Sequence, residues 1–347
     1  MNVLEELRDF KRDFDKRVLD FLDKKEKEAR EIDSSYSELV KEIKRHVKAG
    51  GKRLRPAFVF YGYKAAGGKN FKEDWPACVA VELIHTFALI HDDIMDNSKL
   101  RRGKLTTWKL LGVNQAILVG DLAFTLAEEL MSQLDLEKEK MKNAFRYFNL
   151  LKFEVIGGQY LDIKNNGAMG QWSNGTMEEI MKIMELKSAR YTVARPLQIG
   201  AAIAGARRRL LNAFFEYGVN LGIAFQIQDD ILGMFGDEKM LGKPVGSDLK
   251  EGKRTLLAAE LMEKLSNCQI VKLSEKFNRI FGNKNLTRKD LQRTRQLMVK
   301  LQVLDFCQKK AIQLIKQAKK ALREIKLDEE SKDFLLGIAD YMLERKY

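Results

Sequence analysis

Apolar residues recur every three or four positions along nearly the whole chain, and strand-like alternation is rare. That period belongs to amphipathic helices, so the pattern predicts an all-α protein. A charged, helix-forming segment opens it, over 5–27. The pair Gly50-Gly51 breaks the chain after a helix, and a new helix is expected near Pro56, where a proline suits a first turn. Residues 76–98 read as one buried helix. Arg101-Arg102-Gly103-Lys104 then reads as a basic loop. Further apolar helices are expected at 114–134 and 143–162. Thr176-Met177-Glu178-Glu179 has the capping-box pattern and should open the helix that carries Lys187. Residues 213–234 form a second buried helix, followed by a Gly-rich polar loop over 236–252. From 254 on, amphipathic helices alternate with Lys-rich turns. No solenoid repeat and no low-complexity linker is visible, so one large helical domain over 1–347 is expected, with a charged N-terminal helix at 1–30.

Composition adds three points. Four prolines in 347 residues favour long helices, and 45% hydrophobic content is ample for a core. Cys78, Cys268 and Cys307 are scattered without metal-ligand spacing and read as buried, reduced thiols. The net charge of +13 admits attraction to diphosphates, nucleic acid or an anionic membrane face, although a Lys-rich solvated surface explains it as well. No nucleic-acid-binding signature accompanies it. The N-terminal residues are charged throughout, unlike a signal peptide, and the longest low-charge run, 196–206, is too short to span a bilayer. A cytoplasmic protein is expected, with contact to a membrane surface left open.

Two acidic clusters change the picture. Each lies in an apolar helical stretch: Asp92-Asp93-Ile94-Met95-Asp96, and Gln226-Ile227-Gln228-Asp229-Asp230. A carboxylate in apolar surroundings is costly unless cations or hydrogen bonds compensate it. Asp92 and Asp96 share a helix face one turn apart, with His85 two turns back on roughly the same face. Oxygen donors without nearby cysteine point to magnesium, which is commonly shared between a few carboxylates and phosphate. Asp237, Lys243, Asp248 and Lys253 follow the second cluster in the Gly-rich loop. Gly50-Gly51-Lys52-Arg53-Leu54-Arg55-Pro56 adds a third piece. Its glycines permit close backbone approach, and Lys52 and Arg55 can point to one side. It lacks the spacing of a nucleotide P-loop.

Together these residues resemble the trans-isoprenyl diphosphate synthase family, of polyprenyl, geranylgeranyl or farnesyl type. Asp92-Asp93-Ile94-Met95-Asp96 with Arg101-Arg102-Gly103 is similar to its first aspartate-rich motif, and 225–233 to its second. Gly50 to Pro56 resembles its isopentenyl diphosphate motif. Gly158-Gln159-Tyr160-Leu161-Asp162, Lys187-Ser188-Ala189 and 242–248 match further blocks in the family's order, while 255–347 match loosely. The resemblance implies a single helical bundle of the isoprenoid synthase type with a central active-site cavity. It implies an allylic diphosphate held through about three magnesium ions by Asp92, Asp96 and Asp229 on opposing walls, with Asp93 and Asp230 beside them. Arg101, Lys187, Lys243 and Lys253 would neutralise that diphosphate. Lys52, Arg55, His85 and Arg102 would hold isopentenyl diphosphate without metal. Lys187, Ser188 and Gln226 would line the allylic cation.

Three departures from the family pattern stand out. Gly233 takes the place of a frequent third aspartate, Ser188 stands where threonine is commoner, and His85 fills a position shared by histidine and glutamine. The product tail should run toward residues that precede Asp92. Phe87, with the small Ala88 and with Ile84, resembles a geranylgeranyl-type floor, which favours a C20 product over C15. A terpene cyclase, a head-to-head synthase or a non-catalytic subunit of a heteromeric synthase are the alternatives. A cyclase or head-to-head enzyme needs no Gly50 to Pro56 motif, and a non-catalytic subunit would be expected to lose an acidic cluster. The resemblance also implies a homodimer, with 114–134 and 143–162 as candidate contacts. The basic pair Arg345-Lys346 reads as a solvated tail.

Overall fold

The computed structural model describes residues 3–166, 176–237, 245–267 and 271–344. They are helical almost throughout, with one two-stranded hairpin, as the period predicts. The order is α1 (Val3–Ile32), α2 (Ser37–Lys48), α3 (Leu54–Ala65), α4 (Phe71–Met95), β1 (Leu100–Arg101), β2 (Lys104–Leu105), α5 (Thr107–Leu111), α6 (Val113–Ser132) and α7 (Lys138–Asn166). After α8 (Met177–Ile183) comes a π-helical segment, Met184–Ala194, then α9 (Arg195–Ile203) and α10 (Arg208–Phe235). Helices Ser247–Glu251, Leu256–Asn267, Val271–Ile280, Arg288–Lys300, Val303–Leu322 and Glu329–Glu344 complete it.

The chain forms two compact units. The first comprises Met1–Asn149, Pro196–Leu211 and Lys326–Leu335; the second comprises Leu150–Arg195, Asn212–Ile325 and Leu336–Tyr347.

In the first unit, α1 buries Leu7, Phe10, Phe14, Val18 and Leu22, the spacing of a single helical face. Each large side chain so buried stabilises by about 1.5–3 kcal/mol. Phe10 and Phe14 stack on Trp75 at 5.9 and 5.7 Å between centroids. Helices α3 and α9 touch backbone to backbone: a Cβ on Gly62 would fall 2.3 Å from the Leu197 carbonyl oxygen. Arg53 caps α3 from the left-handed region, φ 55°, and is almost fully buried. Its guanidinium donates to Asp15 of α1 (2.7 Å), Glu82 of α4 (2.5 Å) and the Val47 carbonyl (2.6 Å). The sequence marks Lys52 and Arg55 for chemistry; the arginine between them is the one that ties three elements together.

Several boundaries differ from the pattern's expectation. Helix α4 begins at Phe71 and ends at Met95, so the helix expected over 76–98 starts earlier and stops sooner. Pro76 lies inside it, at the cost of one backbone hydrogen bond. Asn97, at φ 52°, stops it, and the Ser98 N–H donates to the Asp93 carbonyl, a left-handed cap that leaves Asp96 at the helix end. The basic loop is a tight hairpin. Arg101 pairs with Lys104, and Arg102 and Gly103 both have positive φ, as a two-residue turn of matching twist requires. Part of the polar loop expected over 236–252 is helical, at Ser247–Glu251.

In the second unit the capping box at Thr176 is present in both directions, but α8 passes after one turn or two into the π-helical segment that carries Lys187 and Ser188. That segment is wider than an α-helix and is met by glycines. A Cβ on Gly158 of α7 would lie 2.8 Å from the Lys187 nitrogen. One on Gly222 of α10 would lie 2.3 Å from Ala189 Cα, and one on Gly218 2.4 Å from Ala194 Cα. Arg190 clamps it, donating to Glu185 (2.7 Å) and to buried Glu154 (2.6 Å), which also accepts from Arg195 (2.7 Å). Among the described residues, no helix is long and apolar enough to cross a membrane.

Candidate active site

The first unit gathers the residues around the end of α4. Asp93 is almost fully buried, and Arg101 from the hairpin grips it, Nε lying 2.9 Å from each carboxyl oxygen and Nη2 2.8 Å from Oδ1. The same guanidinium reaches to 3.7 Å from Asp92. Burial pushes the Asp93 carboxyl up, and Arg101 only partly offsets it. Asp92 is half-buried and Asp96 is exposed at the helix end. With Arg101 turned to Asp93, Asp92 and Asp96 are the carboxylates on the solvent side.

The hairpin is fixed from behind. Thr106 Oγ1 and Trp108 Nε1 both donate to the Ser98 carbonyl, at 2.8 Å. Thr107 donates to Glu42 of α2 (2.7 Å) and meets His46 Nε2 at 2.7 Å. This anchoring brings Arg102 across the Gly50-Gly51 break, where its Nη1 donates to the Gly50 carbonyl. A side chain on Gly51, at φ 142°, would meet Arg102 Nη2 at 3.1 Å.

His85 of α4 sits in the field of these groups. Burial pushes its imidazole well below the ordinary range, and Arg55, Arg102, Arg101 and Arg53 push it further, so it is neutral at physiological pH. Burial likewise depresses the Arg102 guanidinium; Glu82 opposes that, and Arg53, Arg101 and Arg55 add to it. Arg55, His85 and Arg102 therefore form a cluster with a surplus of positive charge. Lys52 is exposed beside them in sequence. Of the expected floor residues, Ile84 is fully buried, whereas Phe87 and Ala88 are half-buried. Phe87 packs on His91 (4.6 Å) and, edge-on, on Phe124 of α6 (5.2 Å).

The second unit holds an open cleft lined by Asp162, Lys187, Ser188, Gln226, Asp230 and Lys253, with apolar Ile180, Ile183 and Met184. Lys187 Nζ lies 2.7 Å from Asp162 of α7. Ser188 Oγ donates to Gln226 Oε1 (2.7 Å), and Gln226 Nε2 donates to Asp230 (2.9 Å). Burial, with Asp248 and Asp229 adding to it, pushes the Asp230 carboxyl up to about 7, against the pull of Lys253 and Gln226. Lys253 stands 3.9 Å from both Asp230 and Asp248. Burial opposes its charge, but Asp230, Asp248 and Asp162 outweigh burial and hold the ammonium above its usual range. Asp229 is half-buried on the same turn. A Cβ at Gly233 would lie 3.1 Å from Asp248 Oδ2, so a carboxylate already overlies the position that lacks the third aspartate. Lys243 lies outside the described residues.

The candidate ligands of both units are carboxylate oxygens, which suit a hard dication. Among the described residues no three acids or histidines close a metal cage by themselves. Magnesium fits such a donor set, because it is normally held by one or two carboxylates with phosphate and water completing its shell.

The supporting groups Arg53, Glu42, Thr107, Glu154 and Arg190 carry no sequence signal that marks them. Asp162 lies in a matched block that by itself implies no role for it. Each acts through a partner far away in sequence, and no local pattern announces that.

The polyprenyl synthetase family model matches residues 37–298. A geranylgeranyl diphosphate synthase of Methanosarcina mazei is 36% identical over 310 residues, which cover 89% of this chain and 90% of that protein. A geranylfarnesyl diphosphate synthase of Aeropyrum pernix is 34% identical over 304 residues, 86% of this chain and 92% of that one. Among solved structures, a geranylgeranyl pyrophosphate synthase from Corynebacterium glutamicum, complexed with isoprenyl diphosphate and magnesium, superposes with a TM-score of 0.89 at 30% identity, with 97% and 98% of the two chains covered. Motifs, fold and overall similarity agree: the chain belongs to the polyprenyl synthetase family.

Proposed function

We propose that this protein is a magnesium-dependent prenyltransferase that joins isopentenyl diphosphate head-to-tail to an allylic diphosphate, with geranylgeranyl diphosphate as product. One observation carries the reading: within the first unit, a helix end bearing Asp92 and Asp96 adjoins a cluster of Arg55, His85 and Arg102 whose positive charge is in surplus. Such a cluster attracts one diphosphate directly, and the adjoining acids would hold a second one through metal. The matched family region, 37–298, runs through both units, which supports a single enzyme domain over 1–347.

Asp92 and Asp96, with Asp93 beside them, and Asp229 with Asp230, would hold the magnesium ions, about three of them. Bound magnesium supplies charge that stabilises the departing diphosphate. Lys187, Lys253 and Arg101, with Lys243, would donate to the oxygens of the allylic diphosphate, so their present partners Asp162, Asp248 and Asp93 keep them oriented until it arrives. Asp248 would lend the charge that Gly233 does not provide. Lys52, Arg55, His85 and Arg102 would grip isopentenyl diphosphate, the arginines by paired hydrogen bonds and neutral His85 through one ring N–H. The Ser188 and Gln226 oxygens would face the positive carbon left when the carbon–oxygen bond ionises, and the apolar wall of Ile180, Ile183 and Met184 would keep water from it. The double bond of isopentenyl diphosphate then attacks, and the released diphosphate takes the proton.

The partner would be a second copy of the chain. On α7, Phe153, Ile156, Tyr160 and Ile163 form an exposed stripe at three- and four-residue spacing, with Phe153 78% exposed. Ile117 and Leu118 are likewise exposed on α6. The buried cysteines Cys78 and Cys307 fit a reducing compartment, the cytoplasm.

Purified protein, magnesium, isopentenyl diphosphate and each of dimethylallyl, geranyl and farnesyl diphosphate test the reading, with products resolved by carbon number. Geranylgeranyl diphosphate is expected. Turnover of a prenyl diphosphate without isopentenyl diphosphate would make the protein a cyclase; accumulation of farnesyl diphosphate would shorten the assigned product.

A further inference from the structure

The net charge is not spread evenly. Between 288 and 323, eleven lysines and arginines stand against two acids, so about a tenth of the chain carries +9 of the total +13. These residues lie in helices Arg288–Lys300 and Val303–Leu322, which pack on each other within the second unit. Neither helix contributes a residue to the chemistry proposed above.

The charges are ordered on each helix. On Val303–Leu322 and the turn after it, Lys309, Lys316, Lys320 and Arg323 stand seven, four and three residues apart, fall on one face and are all exposed. Phe306 and Ile312 flank that stripe and are also exposed. The opposite face, Cys307, Ala311, Leu314, Ile315 and Ala318, is buried in the unit. On Arg288–Lys300, exposed Lys289, Arg293 and Lys300 share one face, with exposed Val299 at its edge.

We infer that this pair of helices is a docking surface for an anionic lipid bilayer. Like charges lined along one face of each helix repel each other, so the arrangement suits a multivalent anionic partner. The apolar flanks decide its nature: Phe306, Ile312 and Val299 can enter the headgroup boundary, whereas a nucleic-acid backbone offers them nothing. Each Lys or Arg near an anionic membrane contributes about fivefold to partitioning, and the attraction fades beyond a Debye length.

Flotation of the full-length protein tests this, with vesicles of phosphatidylglycerol and phosphatidylcholine in equal parts, and of phosphatidylcholine alone. Binding is expected only to the first, weakening as salt is raised. Lys309→Gln, Lys316→Gln and Lys320→Gln combined should reduce it about a hundredfold, with prenyl transfer on soluble substrates unchanged. Phe306→Ser should weaken it severalfold at constant charge. Equal binding to neutral vesicles, or unchanged binding by the triple variant, overturns the inference. Retention by duplex RNA without retention by anionic vesicles would give the surface to nucleic acid and overturn it too. Prenyl transfer is assayed separately, so loss of one result leaves the other standing.

Discussion

Gly222→Ala puts the packing of the π-helical segment to the test. The added methyl would lie 2.3 Å from Ala189 Cα and 2.7 Å from Ala189 Cβ, and the first of these is backbone, which cannot swing aside as a side chain would. Normal contact needs roughly 3.5–4 Å, so the segment or α10 must retreat by about 1 Å or more. Overpacking of this kind costs about 1–3 kcal/mol, partly offset by the better helix propensity of alanine. Ala189 adjoins Ser188, whose bond to Gln226 is 2.7 Å long; a retreat of about 1 Å stretches it beyond hydrogen-bonding range. A displacement of that size at a positioning residue can slow turnover about a hundredfold. Ser188→Ala is the comparison, because it removes the hydroxyl that makes this bond and adds no atom that must be accommodated. Thermal melts and steady-state kinetics with the allylic substrate varied should show Gly222→Ala less stable than Ser188→Ala and at least as slow. A Gly222→Ala protein with wild-type melting temperature and kcat would refute the close contact and the role drawn from it.

Acid should weaken the fold through His46, which burial pushes down to about 4 from an ordinary 6.5. The unfolded chain binds that proton first, so this stability is fully present above about pH 6.5, declines as pH falls toward 4 and levels off below; its size is at most about 3 kcal/mol, and His46→Gln should flatten this part of a denaturation-versus-pH profile, failing which the burial argument is wrong. Phe87→Ala should lengthen the product by isoprene units, since the ring it removes is packed between His91 and Phe124 at the end of the expected tail path; an unchanged chromatogram would remove Phe87 as the floor. Cys78 and Cys307 should resist a thiol reagent in the native protein, Cys307 doubly so because burial pushes its thiol up to about 12; fast modification of Cys307 without unfolding would contradict that environment.

Helix content, most helix positions and the acidic clusters were legible in the sequence for one reason. Each is announced within a few residues, by a three-to-four period, a capping box, or carboxylates where apolar side chains would be cheaper. Thr176 and Glu179 cap each other because their spacing alone permits it. The end of α4 was less legible. Asn97 can adopt positive φ, but nothing nearby says that it must, and the expected helix ran on to Ser98. The hairpin at 100–105 was hidden in the same way: Arg102 at φ 52° is held by its contact with Gly50, about half a hundred residues earlier in the chain.

The π-helical segment shows where local reading stops. Gly158, Gly218 and Gly222 are plain in the sequence, and an isolated glycine in a helix reads only as a weak point. Their meaning appears when each is set against the backbone it admits: Lys187, Ala194 and Ala189. The same holds for Arg190, a solvated cation by every local sign until Glu154 and Glu185 close around it. Catalytic groups announce themselves because a charge in an apolar helix is costly. The residues that aim them do not, because their charges are neutralised by partners distant in sequence. Such an enzyme's chemistry can therefore be named from its sequence before its precision can be explained, and that precision resides in contacts such as Gly222 against Ala189.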